Sequence, residues 1–144
     1  MELATEFYIM KHNTVRRRPP HYDLRIRDTR VADSWFSFAV PKNLSEARGE
    51  RRLGIKVADH STECARFTGT IESGYGAGYL EVWDHGPARY RFFDPDTGKI
   101  ELYMMGRKIH GIYVVYPMPS KGLLGMKEER KQQLYIIVRK DGKK

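Results

Sequence analysis

Short apolar segments separated by turn signals recur along the whole chain, and that rhythm leaves few folds open. Phe7 to His12, His21 to Arg27, Ser34 to Val40, Tyr79 to Asp84, Arg89 to Phe93, Lys99 to Met104, Ile112 to Tyr116 and Leu134 to Arg139 each have the length and make-up of a strand. Leu53, Ile55 and Val57, alternating with Gly54, Lys56 and Ala58, form the clearest period-2 pattern. Pro41 ends one segment, and Asp94-Pro95-Asp96-Thr97-Gly98 between two others predicts a hairpin. Arg16 to Pro20 reads as a basic loop, Asn43 to Glu50 as a loop or one helical turn, and Met126 to Gln133 as a short helix. About nine short strands predict a mostly β, single-domain compact antiparallel β-barrel with short helical or loop excursions.

Composition narrows the setting. A chain of 144 residues is the size of one domain, taken here as 1–144. No run of about 18 apolar residues is present, so no membrane-spanning helix is expected. The acidic start, Met1-Glu2-Leu3-Ala4-Thr5-Glu6, lacks the apolar stretch of a secretory signal. Cys64 has no second cysteine to pair with, which makes a reducing, cytoplasmic home the simplest expectation. With 26 Lys+Arg against 18 Asp+Glu the formal charge is +8. The excess gathers at Arg16, Arg17 and Arg18, at Arg48, Arg51 and Arg52, and at Arg139, Lys140, Lys143 and Lys144. Such clusters serve either solubility or contact with a polyanion, of which nucleic acid is the commonest.

One strand carries the residues that could do chemistry. His21, Asp23 and Arg25 alternate along it and share a face, opposite Tyr22, Leu24 and Ile26. Imidazole and carboxylate suit Mn²⁺, Zn²⁺ or Fe²⁺, and a guanidinium beside them suits phosphate. If the preceding strand forms a hairpin with this one, His12 becomes a third ligand, leaving open positions for water and substrate. A second row, Arg52, Lys56 and His60, shares parity on the later strand. Two inert, solvated polar faces would produce the same pattern.

Lys11-His12, His21-Tyr22-Asp23-Leu24-Arg25, Trp35 to Lys42, Arg52-Leu53, Val57-Ala58-Asp59-His60, Tyr75-Gly76-Ala77-Gly78 and Val82-Trp83-Asp84-His85-Gly86 follow one another along the chain. In that order they resemble the 3′-phosphoesterase domain of DNA ligase D, including its stand-alone versions. Each string is short; their order over residues 7 to 140 is the specific signal. The resemblance implies a compact barrel with a Mn²⁺ site, other divalent transition metals being possible, and an anion site beside it. It implies removal of a 3′-terminal ribonucleotide and then of the 3′-phosphate from DNA or RNA-tipped DNA 3′ ends, leaving a 3′-hydroxyl for end-joining repair. Residue by residue, it makes His12, His21 and Asp23 the metal ligands. Arg25, Arg52 and His60 become the catalytic and phosphate-holding groups, with Lys42 nearby. By analogy it implies a separate DNA ligase or polymerase as collaborator; a closed barrel needs no second copy, so a monomer is expected, with no membrane.

This chain departs from the family pattern at several points. The stretch from His12 to His21 is longer than usual, Met10 replaces a polar residue, and the usual proline near Glu72-Ser73 is absent. Cys64 stands where the family generally has a tyrosine that handles phosphate, and a thiol is a shorter, weaker donor. His85 and His110 match no family role and read as structural. Gly74 to Gly78 fits neither a phosphate-binding loop nor a dinucleotide fingerprint and reads as a barrel corner. The rival readings are a nucleic-acid-end-binding barrel without catalysis and an unrelated RNA-binding barrel. Neither would need the His12, His21, Asp23 set.

Overall fold

A computed structural model of the chain describes residues 3–14, 20–72, 77–119 and 133–142. The strands are β1 (Leu3–Thr14), β2 (His21–Arg27), β3 (Trp35–Val40), β4 (Arg51–His60), β5 (Gly69–Ile71), β6 (Gly78–Phe93), β7 (Ile100–Met105), β8 (His110–Pro117) and β9 (Leu134–Arg139), with one helical turn, α1 (Thr62–Ala65). They pair antiparallel in the order β1-β2-β3-β4-β9-β8-β7-β6, and β1 pairs again with β6, so eight strands close into a barrel. Closure removes the open edges that a flat sheet would expose. β5 adds to β6 alongside Gly78–Leu80 and stands outside the closed ring.

The expected mostly β barrel is therefore present, and the limits of β2 and β9 coincide with the sequence reading. Two expected segments, Tyr79 to Asp84 and Arg89 to Phe93, are one long strand, β6. Ile9 pairs with Asp84 and Met10 with Val82, so Trp83 is an extra residue that bulges and bends the strand without ending it. The hairpin at Asp94 to Gly98 forms as expected. Gly98 takes φ +85° and donates to the Asp94 carbonyl at 2.7 Å, a backbone conformation that favours glycine. Asn43 to Glu50 contains no helix; the helical turn is at Thr62–Ala65, where Ser61 caps it by accepting the Cys64 N–H. Arg16 to Arg18, the helix expected over 126 to 133 up to its last residue, Gly74 to Gly76, and Lys143 and Lys144 lie outside the described residues.

Inside the ring, Phe7, Ile9, Leu24, Ile26, Phe38, Val40, Ile100, Leu102, Met104, Tyr113, Val115, Tyr135 and Ile137 make one continuous core. Alternation sends the other residues of β1 to β3 outwards, yet these are not all solvated. Met10, Trp35 and Ser37 are at most 1% exposed and Ala65 is fully buried; over Trp35 and Arg25 the cover is α1. Trp35 Nε1 donates to Thr62 Oγ1 at 3.0 Å, and the Arg66 guanidinium sits over the Trp35 ring. The barrel thus has an apolar inside and, over β1 to β3, a second buried layer outside.

Candidate active site

The outer face of β1 and β2 gathers the chemistry. The two strands pair so that His12 lies opposite His21, Met10 opposite Asp23 and Tyr8 opposite Arg25. Residues opposite one another in an antiparallel pair project to the same side, so register alone sets both imidazoles next to the carboxylate. One ligand atom from each of His12, His21 and Asp23 lies within 4.8 Å of the other two. His12 Nδ1 and His21 Nε2 are 3.2 Å apart, and His21 Nε2 is 3.5 Å from Asp23 Oδ1. Ligands about 2.1 Å from one cation, at tetrahedral or right angles, stand about 3.0–3.4 Å from each other. The donor set, two nitrogens and an oxygen, suits a divalent transition metal, and two of its three separations lie close to that spacing.

Arg25 continues the row. Its Nη2 is 3.5 Å from Asp23 Oδ2, and its Nη1 donates to the carbonyls of Cys64 (3.1 Å) and Ala65 (2.9 Å) at the end of α1. The helical turn and Asp23 therefore fix the guanidinium from two sides. Its Nε is buried with no hydrogen-bond partner among the described residues, and so is Nδ1 of His60. Burial is the main influence lowering the Arg25 pKa, with Asp23 opposing it. Burial, and then the like charge of Arg25, also push the His60 pKa down. A guanidinium and an imidazole, each with a buried nitrogen that has no partner among the described residues, are groups able to receive an anion.

His60 reaches this face in a way the sequence parity misstates. Between the pairs Ser37↔Val57 and Trp35↔His60, β4 takes one residue more than β3, a bulge that reverses its alternation. His60 consequently shares the outer face with Trp35 and Ser37. Arg52 and Lys56 stay on the inner side with Gly54, where an added Cβ would lie 2.9 Å from Ile137 Cδ1. The expected row of Arg52, Lys56 and His60 is thus split.

Arg52 Nε donates to the Asn43 carbonyl (2.9 Å) and its Nη2 pairs with Glu50 at 2.7 Å, while Lys42, exposed in the bend after β3, also acts on Glu50. The described contacts bring His12, His21, Asp23, Arg25 and His60 together; those of Arg52 and Lys42 do not reach the group.

The motif Val82-Trp83-Asp84-His85-Gly86 has a structural half that the sequence left unread. The buried Asp84 carboxylate accepts N–H bonds from Arg107 (3.0 Å), Lys108 (3.1 Å) and Ile109 (2.8 Å), which ties the β7–β8 turn to β6. Gly86 follows because any Cβ there would meet the Met105 carbonyl oxygen at 2.6 Å. The role of α1 was also missed, although Ser61 before Glu63 is a recognisable start signal.

Comparison with known proteins agrees with the motif order. A sequence profile of the DNA ligase D 3′-phosphoesterase domain matches residues 10–116. The multifunctional non-homologous end joining DNA repair protein LigD of Mycobacterium tuberculosis (strain H37Rv) is 40% identical over 112 residues, which cover 76% of this chain and 14% of that protein. LigD of Mycolicibacterium smegmatis is 35% identical over 137 residues, 87% of this chain and 17% of that protein. LigD of Pseudomonas aeruginosa is 30% identical over 141 residues, 94% of this chain and 15% of its own length. The chain thus spans about a sixth of the length of these relatives, or less. The profile and the relatives together show the family: the chain belongs to the DNA ligase D 3′-phosphoesterase domain family.

Proposed function

We propose that this chain is a metal-dependent phosphoesterase that removes 3′-terminal ribonucleotides and 3′-phosphates from DNA ends, leaving a 3′-hydroxyl for end-joining repair. The observation that carries the reading is the convergence of His12, His21 and Asp23 within 4.8 Å, beside an arginine and a histidine that each keep a buried nitrogen without a hydrogen-bond partner among the described residues. Binding of nucleic acid alone would not call for such a ligand set. The partners proposed are DNA or RNA-tipped 3′ ends and a separate ligase or polymerase, with the chain acting as a cytoplasmic monomer. Among the described residues no helix is long and apolar enough to cross a membrane.

His12, His21 and Asp23 would hold the cation, Mn²⁺ by family analogy. What such a cation supplies when bound is Lewis-acid charge for phosphoryl oxygens and a more acidic water. The remaining work belongs to the side chains. Arg25, locked by Asp23 and the α1 carbonyls, presents positive charge that needs no reorganisation when charge builds on the phosphate. His60 has a lowered pKa in the free protein, so it meets the substrate chiefly as a neutral donor. The negative charge of the bound phosphate raises its proton affinity, so His60 would take up a proton from solvent on binding and pass it to the leaving oxygen. Arg52 and Lys42 act, if at all, on more distant phosphates of the strand. Cys64 follows the first two residues of α1 and leaves the place of the family's tyrosine without a phenol, which shifts the balance between diester and monoester cleavage.

The test is direct: a primer-template ending in a 3′-ribonucleotide or a 3′-phosphate is incubated with protein and Mn²⁺, or with chelator. Processing is expected only with the metal, and is expected to fall by at least about a thousandfold, on the order of 4 kcal/mol in barrier, in His21→Ala. Processing that persists in that variant would overturn the ligand assignment, and binding without processing would overturn the enzyme.

A further inference from the structure

His85 is the member of the Val82 to Gly86 motif that neither the fold nor the proposed chemistry uses. Its backbone is held on both sides, by the Asp84 carboxylate bonded to the β7–β8 turn and by Gly86 pressed against Met105. Its ring is exposed and lies flat on Tyr8, with centroids 5.2 Å apart and planes 12° from parallel. Tyr8 is in turn steadied by Trp35 beneath, at 5.8 Å.

Register places this stack beside the phosphate groups. Tyr8 pairs with His85 on one side and with Arg25 on the other. Paired residues of adjacent antiparallel strands share a face, so His85, Tyr8 and Arg25 form one transverse row on the outer face that also carries His12, His21 and Asp23. Strands stand about 4.8 Å apart, so the stack begins one strand from Arg25 and ends about 10 Å from it. That is the reach of a nucleoside whose phosphate is held at the arginine.

Arg27 and Arg66 share the carboxylate of Glu6 next to Tyr8, and Asp33 also acts on Arg27, so charge there is balanced and recognition falls to the rings. An exposed imidazole mounted flat on a half-buried phenol is suited to stacking an unpaired base, which every base can do through its π-face.

We propose that the Tyr8–His85 stack is the seat for the base of a nucleoside attached to the phosphate held at Arg25. The proposal rests on the phosphoesterase reading above. That base belongs either to the nucleoside that keeps the 3′ end or to the one that leaves, and a 3′-phosphate substrate, which has only the former, separates the two.

The experiment measures affinity by fluorescence anisotropy with labelled single-stranded oligonucleotides in chelator, where no turnover occurs. The ends compared are a 3′-phosphate, a 3′-ribonucleotide, and each of these with the candidate nucleoside made abasic. His85→Ala is expected to weaken binding of the base-bearing ends about tenfold, His85→Phe to restore it, and the abasic ends to bind wild type and His85→Ala alike. Loss on the 3′-phosphate end assigns the seat to the retained nucleoside; loss confined to the ribonucleotide end assigns it to the leaving one.

Equal affinity of wild type and His85→Ala for every base-bearing end overturns the proposal, as does equal weakening of the abasic ends. The same proteins are assayed for processing with Mn²⁺. Wild type that binds but does not process fails the phosphoesterase reading, whereas processing with an affinity indifferent to His85 fails only the base seat.

Discussion

Each of the two faces of strands β1 to β3 holds a dry patch, and the two patches do opposite things. On the inside, Phe7, Ile9, Leu24, Ile26 and Phe38 are at most 1% exposed; on the outside, Met10, His12, Asp23, Arg25 and Ser37 are at most 8% exposed. Burial therefore does not separate core from site. What separates them is the partner each side chain needs. An apolar residue is satisfied by contact of any orientation, whereas a buried guanidinium or carboxylate is stable only against a matched group in a fixed place. The outer face supplies those groups by register, which sets Asp23 among His12, His21 and Arg25, and by the carbonyl ends of α1. Strand alternation serves both: the same pleat that points Leu24 and Ile26 inwards points Asp23 and Arg25 outwards.

If that division holds, damage inside should cost fold and leave chemistry alone. Leu24→Ala removes a fully buried side chain from the centre of the core and is expected to destabilise the protein by about 2–5 kcal/mol in urea unfolding. Its Mn²⁺ affinity, measured at low urea where the chain remains folded, should match wild type, since Leu24 lies on the opposite face from both neighbours, Asp23 and Arg25. A large loss of metal affinity would mean that the two faces are not separable.

Damage outside should do the converse. A ligand that binds only the folded state stabilises it by about 2.7 kcal/mol at a hundred times its dissociation constant. Adding Mn²⁺ to that excess should raise the wild-type unfolding midpoint correspondingly, and adding chelator should return it. In Asp23→Asn the increment should disappear at the same Mn²⁺ concentration. An unchanged increment in that variant would place the metal elsewhere.

The inner face was legible from the sequence and the outer only in part, for a physical reason. Alternation of Leu24 and Ile26 with Asp23 and Arg25 is a local property, so the strand and the shared face of His21, Asp23 and Arg25 could be read directly. That His12 belongs with them depended on a pairing, which a hairpin made the natural guess. Bulges are different: nothing local in Val57-Ala58-Asp59-His60 marks the extra residue that turns His60 outwards, so its face was misassigned along with the row of Arg52 and Lys56. The merging of two expected strands into β6 has the same cause at Trp83. Long-range partners such as Arg25 with the α1 carbonyls, or Asp84 with the β7–β8 turn, are set by closure of the barrel and leave only weak traces, a capping serine and a glycine, in the chain itself.

The smallest expected effect tests the bulge. His60 is half-buried near Arg25, and burial first and that like charge second lower its pKa from the usual 6.5. The unfolded chain then takes up the proton at a higher pH than the folded one does. Above about pH 6.5 both states are neutral at this position and it contributes no pH dependence. As the pH falls below that value the unfolded state is protonated preferentially, stability declines, and the decline stops once the pH has passed the folded-state pKa. With chelator present, the difference in urea stability between wild type and His60→Gln, followed from pH 7.5 to 5, should therefore shift steadily against wild type in the acid half of the range. The change should be modest, because the ring is only partly screened from solvent. Unbroken alternation would have put His60 on the inner side of β4 with Arg52 and Lys56, away from Arg25; a flat difference would argue that His60 is neither buried nor beside Arg25 and has no place at the phosphate.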